Sequence, residues 1–155
     1  PPVAAVATYY LSELFGEDRV WSYLDHRNDE AIDLDAARQR YTAVVLCPWQ
    51  LPRVTGSVDL FVNMMSFQEM EPDVVANYID LVSPRTRRFV VLRNSVTGKP
   101  RSEAGRLGVD EPVRDDDAID AFREFEVLAR DSFVHGEESP DRSFRSEVAV
   151  LARSR

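Results

Sequence analysis

Apolar residues along this chain follow two rhythms, one recurring every three to four positions and one running unbroken over five to seven. The first rhythm opens the chain, where Val3, Val6, Ala7, Tyr10, Leu11, Leu14 and Phe15 fall at helical spacing between an entry of prolines and Gly16. Proline suits a first helical turn and glycine the residue past the last, so a helix with one core-facing stripe is predicted. Residues 20–24 read as a short strand, 25–33 as a polar loop and 35–40 as a short helix. The second rhythm appears three times, at residues 42–47 (T-A-V-V-L-C, stopped by Pro48), 58–64 (V-D-L-F-V-N-M) and 88–92 (R-F-V-V-L). Unbroken runs of this length predict strands covered on both faces.

Between the second and third runs, Val74, Val75, Tyr78, Ile79 and Val82 form a helical stripe that Pro72 can open and Ser83-Pro84 can close. Strand, helix, strand with short links predicts a right-handed crossover within a parallel sheet. Residues 95–113 are rich in glycine, proline and charge and read as a long loop. Asp116 or Asp117 can then cap a short helix reaching about Phe122. The stretches 125–134 and 144–152 are strand-like, with no room for a helix between them, so they should pair antiparallel. The class is therefore α/β. Its three apolar ribbons are expected side by side in one sense, with tips converging on a shared pocket, because ligands of open α/β sheets bind beyond the carboxyl ends of strands.

At 155 residues and 44% hydrophobic content the chain fits one domain with one core. Its 19 basic and 27 acidic side chains leave a net charge of -8, which would repel a nucleic-acid backbone. Cys47 is the only cysteine, which excludes an intrachain disulfide and suggests a small hydrophobe at a buried strand end. No run approaches the roughly 20 apolar residues of a membrane span, and no secretory leader opens the chain; a soluble, cytoplasmic protein is expected.

The richest chemistry lies where residues 58–64 give way to Met65, Ser66, Gln68 and Glu69. Together with L-C-P-W-Q-L-P at 46–52 and F-V-V-L-R-N at 89–94, the run D-L-F-V-N-M-M-S-F-Q-E-M at 59–70 resembles the sugar O-methyltransferases. These are class I S-adenosylmethionine-dependent methyltransferases, whose Rossmann-like parallel sheet ends in an antiparallel hairpin. The resemblance covers residues 1–94 well and the tail by pattern. It implies S-adenosylmethionine as cofactor and a hydroxyl of a sugar or glycosylated metabolite as acceptor, with divalent-metal dependence and oligomeric state left open. The glycine-rich turn and ribose-binding acid that such folds carry after their first two strands are missing, and no Gly-x-Gly occurs. The expectation is a single domain over 1–155 that is the carboxyl-terminal part of a methyltransferase domain, lacking its first two strands and inactive or severely weakened alone.

Methyl transfer to oxygen needs in-line positioning and an acceptor for the hydroxyl proton. Glu69, just past a strand end, is the first candidate base, although an acid there equally suits the start of the next helix. His135, beside Gly136, Glu137 and Glu138, is the second, against a plain solvated turn. Gln68 and Asn94 end successive strands and can bind a hydroxylated substrate or cap loop backbone, with Asn63 ranked below them. Trp49 and Gln50 follow the first clear strand, where the fold contacts adenine, and Met64 and Met65 can wall a cofactor or fill a core. Two other readings remain open: another nucleotide-binding α/β domain such as an oxidoreductase, which would continue with a further parallel strand, and a non-catalytic interaction domain on the same scaffold.

Overall fold

A computed structural model describes residues 2–104, 107–132 and 146–154. The chain divides into two compact units, one ending at Ser57 and one beginning at Val58.

In the first unit, helix α1 (Pro2–Phe15) leads through a 3-10 turn to strand β1 (Val20–Trp21), helix α2 (Tyr23–His26), strand β2 (Ile32–Asp33), helix α3 (Leu34–Ala37), strand β3 (Ala43–Val44), a second 3-10 turn (Pro48–Arg53) and strand β4 (Val54–Thr55). Gly16 ends α1 with φ at +92°, a left-handed conformation that glycine adopts without a Cβ penalty, and its N–H returns to Ser12 O at 2.8 Å. The stripe predicted to face a core does so only in part. Ala4, Ala7 and Leu11 pack with Val20, Val45 and Cys47, while Val3, Val6, Tyr10, Leu14 and Phe15 are exposed. The reason is the width of what lies beneath: β1 and β3 pair in parallel over only two residues, which is too little apolar surface to cover both flanks of a helix. The ribbon at 42–47 thus has β1 as its ladder partner, and β2 pairs in parallel with β4. The expected alignment of all three ribbons in one ladder is corrected on this point. Cys47 is buried, in line with its reading as a small hydrophobe.

The second unit begins with strand β5 (Val58–Met64) and continues through a 3-10 turn (Phe67–Glu69), helix α4 (Pro72–Val82), strand β6 (Thr86–Ser95), helix α5 (Asp115–Ala121), strand β7 (Phe125–Asp131) and strand β8 (Ser146–Arg153). The sheet order is β5-β6-β8-β7. β5 and β6 are parallel, with Phe61 opposite Val90 and Asn63 opposite Leu92, as the strand-helix-strand pattern predicts. β8 lies antiparallel between β6 and β7, so the closing strand pair is an antiparallel one.

Residues alternate across this sheet. Phe61, Val90, Leu92, Ala149, Leu151 and Phe125 meet Val75 and Ile79 of α4 and Ala118, Ile119 and Phe122 in and just past α5. Burying each large side chain of this set contributes on the order of 1.5–3 kcal/mol. On the opposite face, Leu60, Val62 and Met64 of β5 are about half exposed, so the expectation of a strand covered on both sides is corrected. Both helices of the unit join the core on one face only, and β5, which forms one edge of the sheet, is left uncovered on the other.

Candidate active site

The carboxyl ends of β5 and β6 carry the polar groups of the second unit. Asn63 is buried, and its Oδ1 accepts the Phe67 N–H at 3.3 Å, which bends the chain off the strand. Met65 follows with φ at +63°, the one non-glycine residue among the described residues in the left-handed region, where a side chain costs free energy. Its N–H donates to Arg93 O at 2.6 Å, so the strained turn is clamped to the neighbouring strand. The 3-10 turn then buries Phe67 and Gln68 and leaves Glu69 near the surface.

Gln68 and Asn94, read from the sequence as polar groups at two successive strand ends, meet only through the Ser95 backbone. The Gln68 Oε1 accepts the N–H of Ser95, next to Asn94, at 2.6 Å, and its Nε2 donates to Glu69 Oε1 at 3.4 Å. Glu69 forms an ion pair with Lys99, the only lysine of the chain. This contact first, and the Gln68 amide after it, holds the Glu69 carboxyl below its ordinary pKa. Glu71 accepts the N–H groups of Asp110 and Glu111 at 2.9 and 3.0 Å. The loop from Thr97 to Arg114 is therefore tied to the turn after β5 at both ends. Met64 is 52% exposed, on the open face of the sheet.

Asp115, which the sequence reading passed over in favour of Asp116 and Asp117, is the most perturbed acid of the unit. Its side chain is 1% exposed, and burial first, then the charge of Glu147, pushes its pKa up to about 6. Arg130 lies 3.5 Å from its Oδ2 and counters part of the shift. Asn94, 1% exposed, lies beside it, yet neither Asn94 carboxamide atom nor Asp115 Oδ1 makes a hydrogen bond within ordinary geometry. A signal was present: Asp115, Ala118, Ile119 and Phe122 share the spacing of one helical face, and all four are buried. Helix α5 begins at Asp115, so neither Asp116 nor Asp117 is its N-cap; Asp117, at the third helical position, accepts the N-cap Arg114 N–H at 2.9 Å.

In the first unit, Trp49 is 56% exposed and makes a T-shaped contact with Tyr23 at 6.0 Å. Gln50 is different. It is fully buried; its Oε1 accepts the Cys47 N–H at 2.9 Å and its Nε2 donates to His26 Nδ1 at 2.9 Å, leaving the His26 Nε2–H to donate to Val45 O at 3.0 Å. The structure thus gives Gln50 an architectural task in place of the adenine contact expected of it. His135 lies outside the described residues. Among the described residues, no cluster of three or more His, Cys, Asp or Glu side chains is arranged to hold a metal ion, and no helix is long and apolar enough to cross a membrane.

No protein-family model matches the chain, and no curated protein is similar to it in sequence. Solved structures do resemble it. An S-adenosylmethionine-dependent methyltransferase from Clostridium acetobutylicum aligns over 77% of this chain and 68% of its own, at 6% identity and a TM-score of 0.50. Magnesium protoporphyrin IX methyltransferase (ChlM) from Synechocystis PCC 6803, with bound SAM, aligns over 99% and 79%, at 10% identity and 0.50. TehB from Haemophilus influenzae aligns over 95% and 53%, at 13% identity and 0.50. At such identities the likeness is one of fold: the chain has an α/β fold of the class I methyltransferase kind.

Proposed function

We propose that this chain belongs to an S-adenosylmethionine-dependent methyltransferase whose acceptor is a hydroxyl of a sugar or glycosylated metabolite. The observation that carries the reading is the junction after β5, where a strained Met65, a buried Gln68 and an ionised Glu69 stand beside Asn94 at the end of the parallel neighbour. Strand tips of parallel sheets are where this architecture receives ligands. The fold likeness to methyltransferases supports the cofactor class, and the abundance of amide and carboxylate groups supports a hydroxylated acceptor.

S-adenosylmethionine would supply a methyl group on a positively charged sulfur. Within the first unit, Trp49 fits the adenine ring as a largely exposed aromatic ring; within the second, Met64 and Met65 fit an apolar wall. Glu69 is the proposed proton acceptor, with His135 the alternative. Held ionised by Lys99, the Glu69 carboxylate is a weak base, and it suits late proton transfer, after the C–O bond has formed and the oxygen has become acidic. Gln68 and Asn94 would orient the acceptor, and orientation can supply a large part of the acceleration of such a displacement.

We also propose that the cofactor site needs residues beyond these 155. The chain has no Gly-x-Gly turn, and β5 has only β6 as a ladder partner among the described residues, so its outer edge is open to a further strand. The test is isothermal titration with S-adenosylmethionine and with NAD, on this chain and on the complete protein. The complete protein should bind S-adenosylmethionine and not NAD, and the 155-residue chain should bind it at least tenfold more weakly. Glu69→Gln in the complete protein should keep cofactor affinity within about twofold and lower turnover by about 10²–10⁴. Unchanged turnover would remove Glu69 from the role; binding of NAD alone would overturn the methyltransferase reading.

A further inference from the structure

Two arginines of the second unit's sheet are well supplied with acceptors, and a third is not. Arg130 of β7 reaches Glu147, Asp116 and Asp115, and Arg153 of β8 reaches Glu124 together with the carbonyls of Thr86 and Ser83. Arg93 of β6 is partly buried and its Nε is shut away from solvent, yet among the described residues no oxygen accepts from its guanidinium and no carboxylate pairs with it. A guanidinium is all donors and keeps its charge at any physiological pH, so enclosing one without an anion is costly.

Leu92 and Asn94, on either side of it in sequence, are buried toward the helices, so Arg93 projects from the opposite, open face of the sheet. Met64 lies across from it on β5 and Val148 on β8. Met64 is the last residue of β5, and the N–H of the strained Met65 donates to the Arg93 carbonyl, so the guanidinium arises at the strand tip that also carries Gln68 and Glu69. Backbone strain and an unsatisfied charged group are independent marks of a ligand site, and here they share one spot.

We propose that Arg93 seats the oxyanion of a small molecule, a carboxylate or phosphate gripped by the planar guanidinium fork, and that the methyl acceptor is therefore an acidic sugar, either a sugar acid or a sugar phosphate. The acceptor assignment rests on the methyl-transfer reading above; the anion site does not. In a chain of net charge -8 an anionic ligand gains nothing from long-range attraction, so its binding has to come from local contacts. The apolar side chains of Met64 and Val148 flank the guanidinium and strengthen its pull on an anion by keeping the surroundings poorly polarisable.

The test is titration of this chain, without cofactor, with glucuronate, glucose 6-phosphate and glucose, followed through the arginine Nε–H signals in nitrogen-proton correlation spectra. The Arg93 signal is assigned by its absence in Arg93→Met. At least one of the charged sugars should move that signal and bind at least about tenfold more tightly than glucose, and the one that does identifies the anion. Arg93→Met keeps the apolar stem and should erase the preference, whereas Arg93→Lys keeps the charge without the fork and should leave about threefold of it. Without ligand, Arg93→Met should melt no lower than the wild type, because the cation it removes has no partner to lose. A Tm more than about 5 °C lower would show that the guanidinium has a structural role and would overturn the site. Equal affinity for charged and neutral sugars would overturn it too, as would a preference that survives Arg93→Met. In the complete protein, S-adenosylmethionine should bind wild type and Arg93→Met within about twofold of each other; a loss of about tenfold would place the cofactor's own carboxylate on Arg93 and overturn the acidic acceptor. No turnover enters these measurements. A failure to transfer methyl therefore defeats the proposed function alone, and equal binding of the sugars defeats the anion site alone.

Discussion

The two units of this chain solve the same problem, fixing parallel strands, by different means. In the second unit, β5 and β6 are seven and ten residues long, and an apolar core of Phe67, Val90, Leu92, Phe122 and Leu151 holds two helices against one face. Its polar groups are left to the strand tips, where they make the candidate site. In the first unit each strand is two residues long, and ladders that short cannot hold themselves. Side chains do it instead: Gln50 and His26 form a buried relay from the Cys47 N–H to the Val45 carbonyl, across the strand end from Trp21. In both units a buried glutamine braces the backbone beside a strand end, Gln50 holding the Cys47 N–H and Gln68 the Ser95 N–H. The same residue type, glutamine, serves as scaffold at 50 and stands at the proposed active site at 68.

This contrast can be broken most forcefully at the core of the second unit. Phe122→Ala removes a fully buried ring that touches Phe61 and Phe125 and should cost about 3–5 kcal/mol in urea unfolding followed by far-UV dichroism. Loss of less than 1 kcal/mol would mean that the sheet does not depend on this core. Next in size is Gln50→Ala, which leaves the Cys47 N–H and His26 Nδ1 buried without partners. It should destabilise the first unit by about 1–3 kcal/mol, read through the fluorescence of Trp21, which sits edge-on to His26 at 4.8 Å and stacks on Tyr41. A neutral outcome would show that the relay is incidental. The smallest expected effect on stability is at Trp49→Ala, within about 0.5 kcal/mol because the ring is largely exposed. The same variant should weaken S-adenosylmethionine binding by the complete protein roughly tenfold. A large loss of stability with unaltered binding would reassign Trp49 from the proposed site to the scaffold.

How much of this was legible in the sequence divides along the same line. β5, α4 and β6 stand out as apolar runs and a stripe because each buries enough surface to impose its own period, and their bounds fall within a few residues of expectation. The strand at 42–47 was legible as a run, but its partner was not, since nothing local tells a ribbon to pair with Val20–Trp21. The insertion of β8 between β6 and β7 is likewise a property of the sheet and of no single segment. Among the proposed site residues, Gln68 and Glu69 are legible by their place after a strand. Gln50 was assigned a ligand because its amide could not be seen to have two buried partners already. Asp115 was masked by the two acids that follow it, although its spacing to Ala118, Ile119 and Phe122 marks the buried side of α5.

Gly98 gives the long loop a property that its length conceals. At φ +75° its backbone approaches the Val113 carbonyl so closely that a Cβ would lie 2.6 Å from that oxygen, and the two strands of the excursion are pressed together at its neck. A loop closed at the neck is modular only toward its tip: between the Lys99–Glu69 ion pair and the Glu71 bonds to the Asp110 and Glu111 N–H groups, residues can be exchanged while these contacts hold the base in place. Selection could thereby remodel what the strand tips recognise without renegotiating the architecture that presents them.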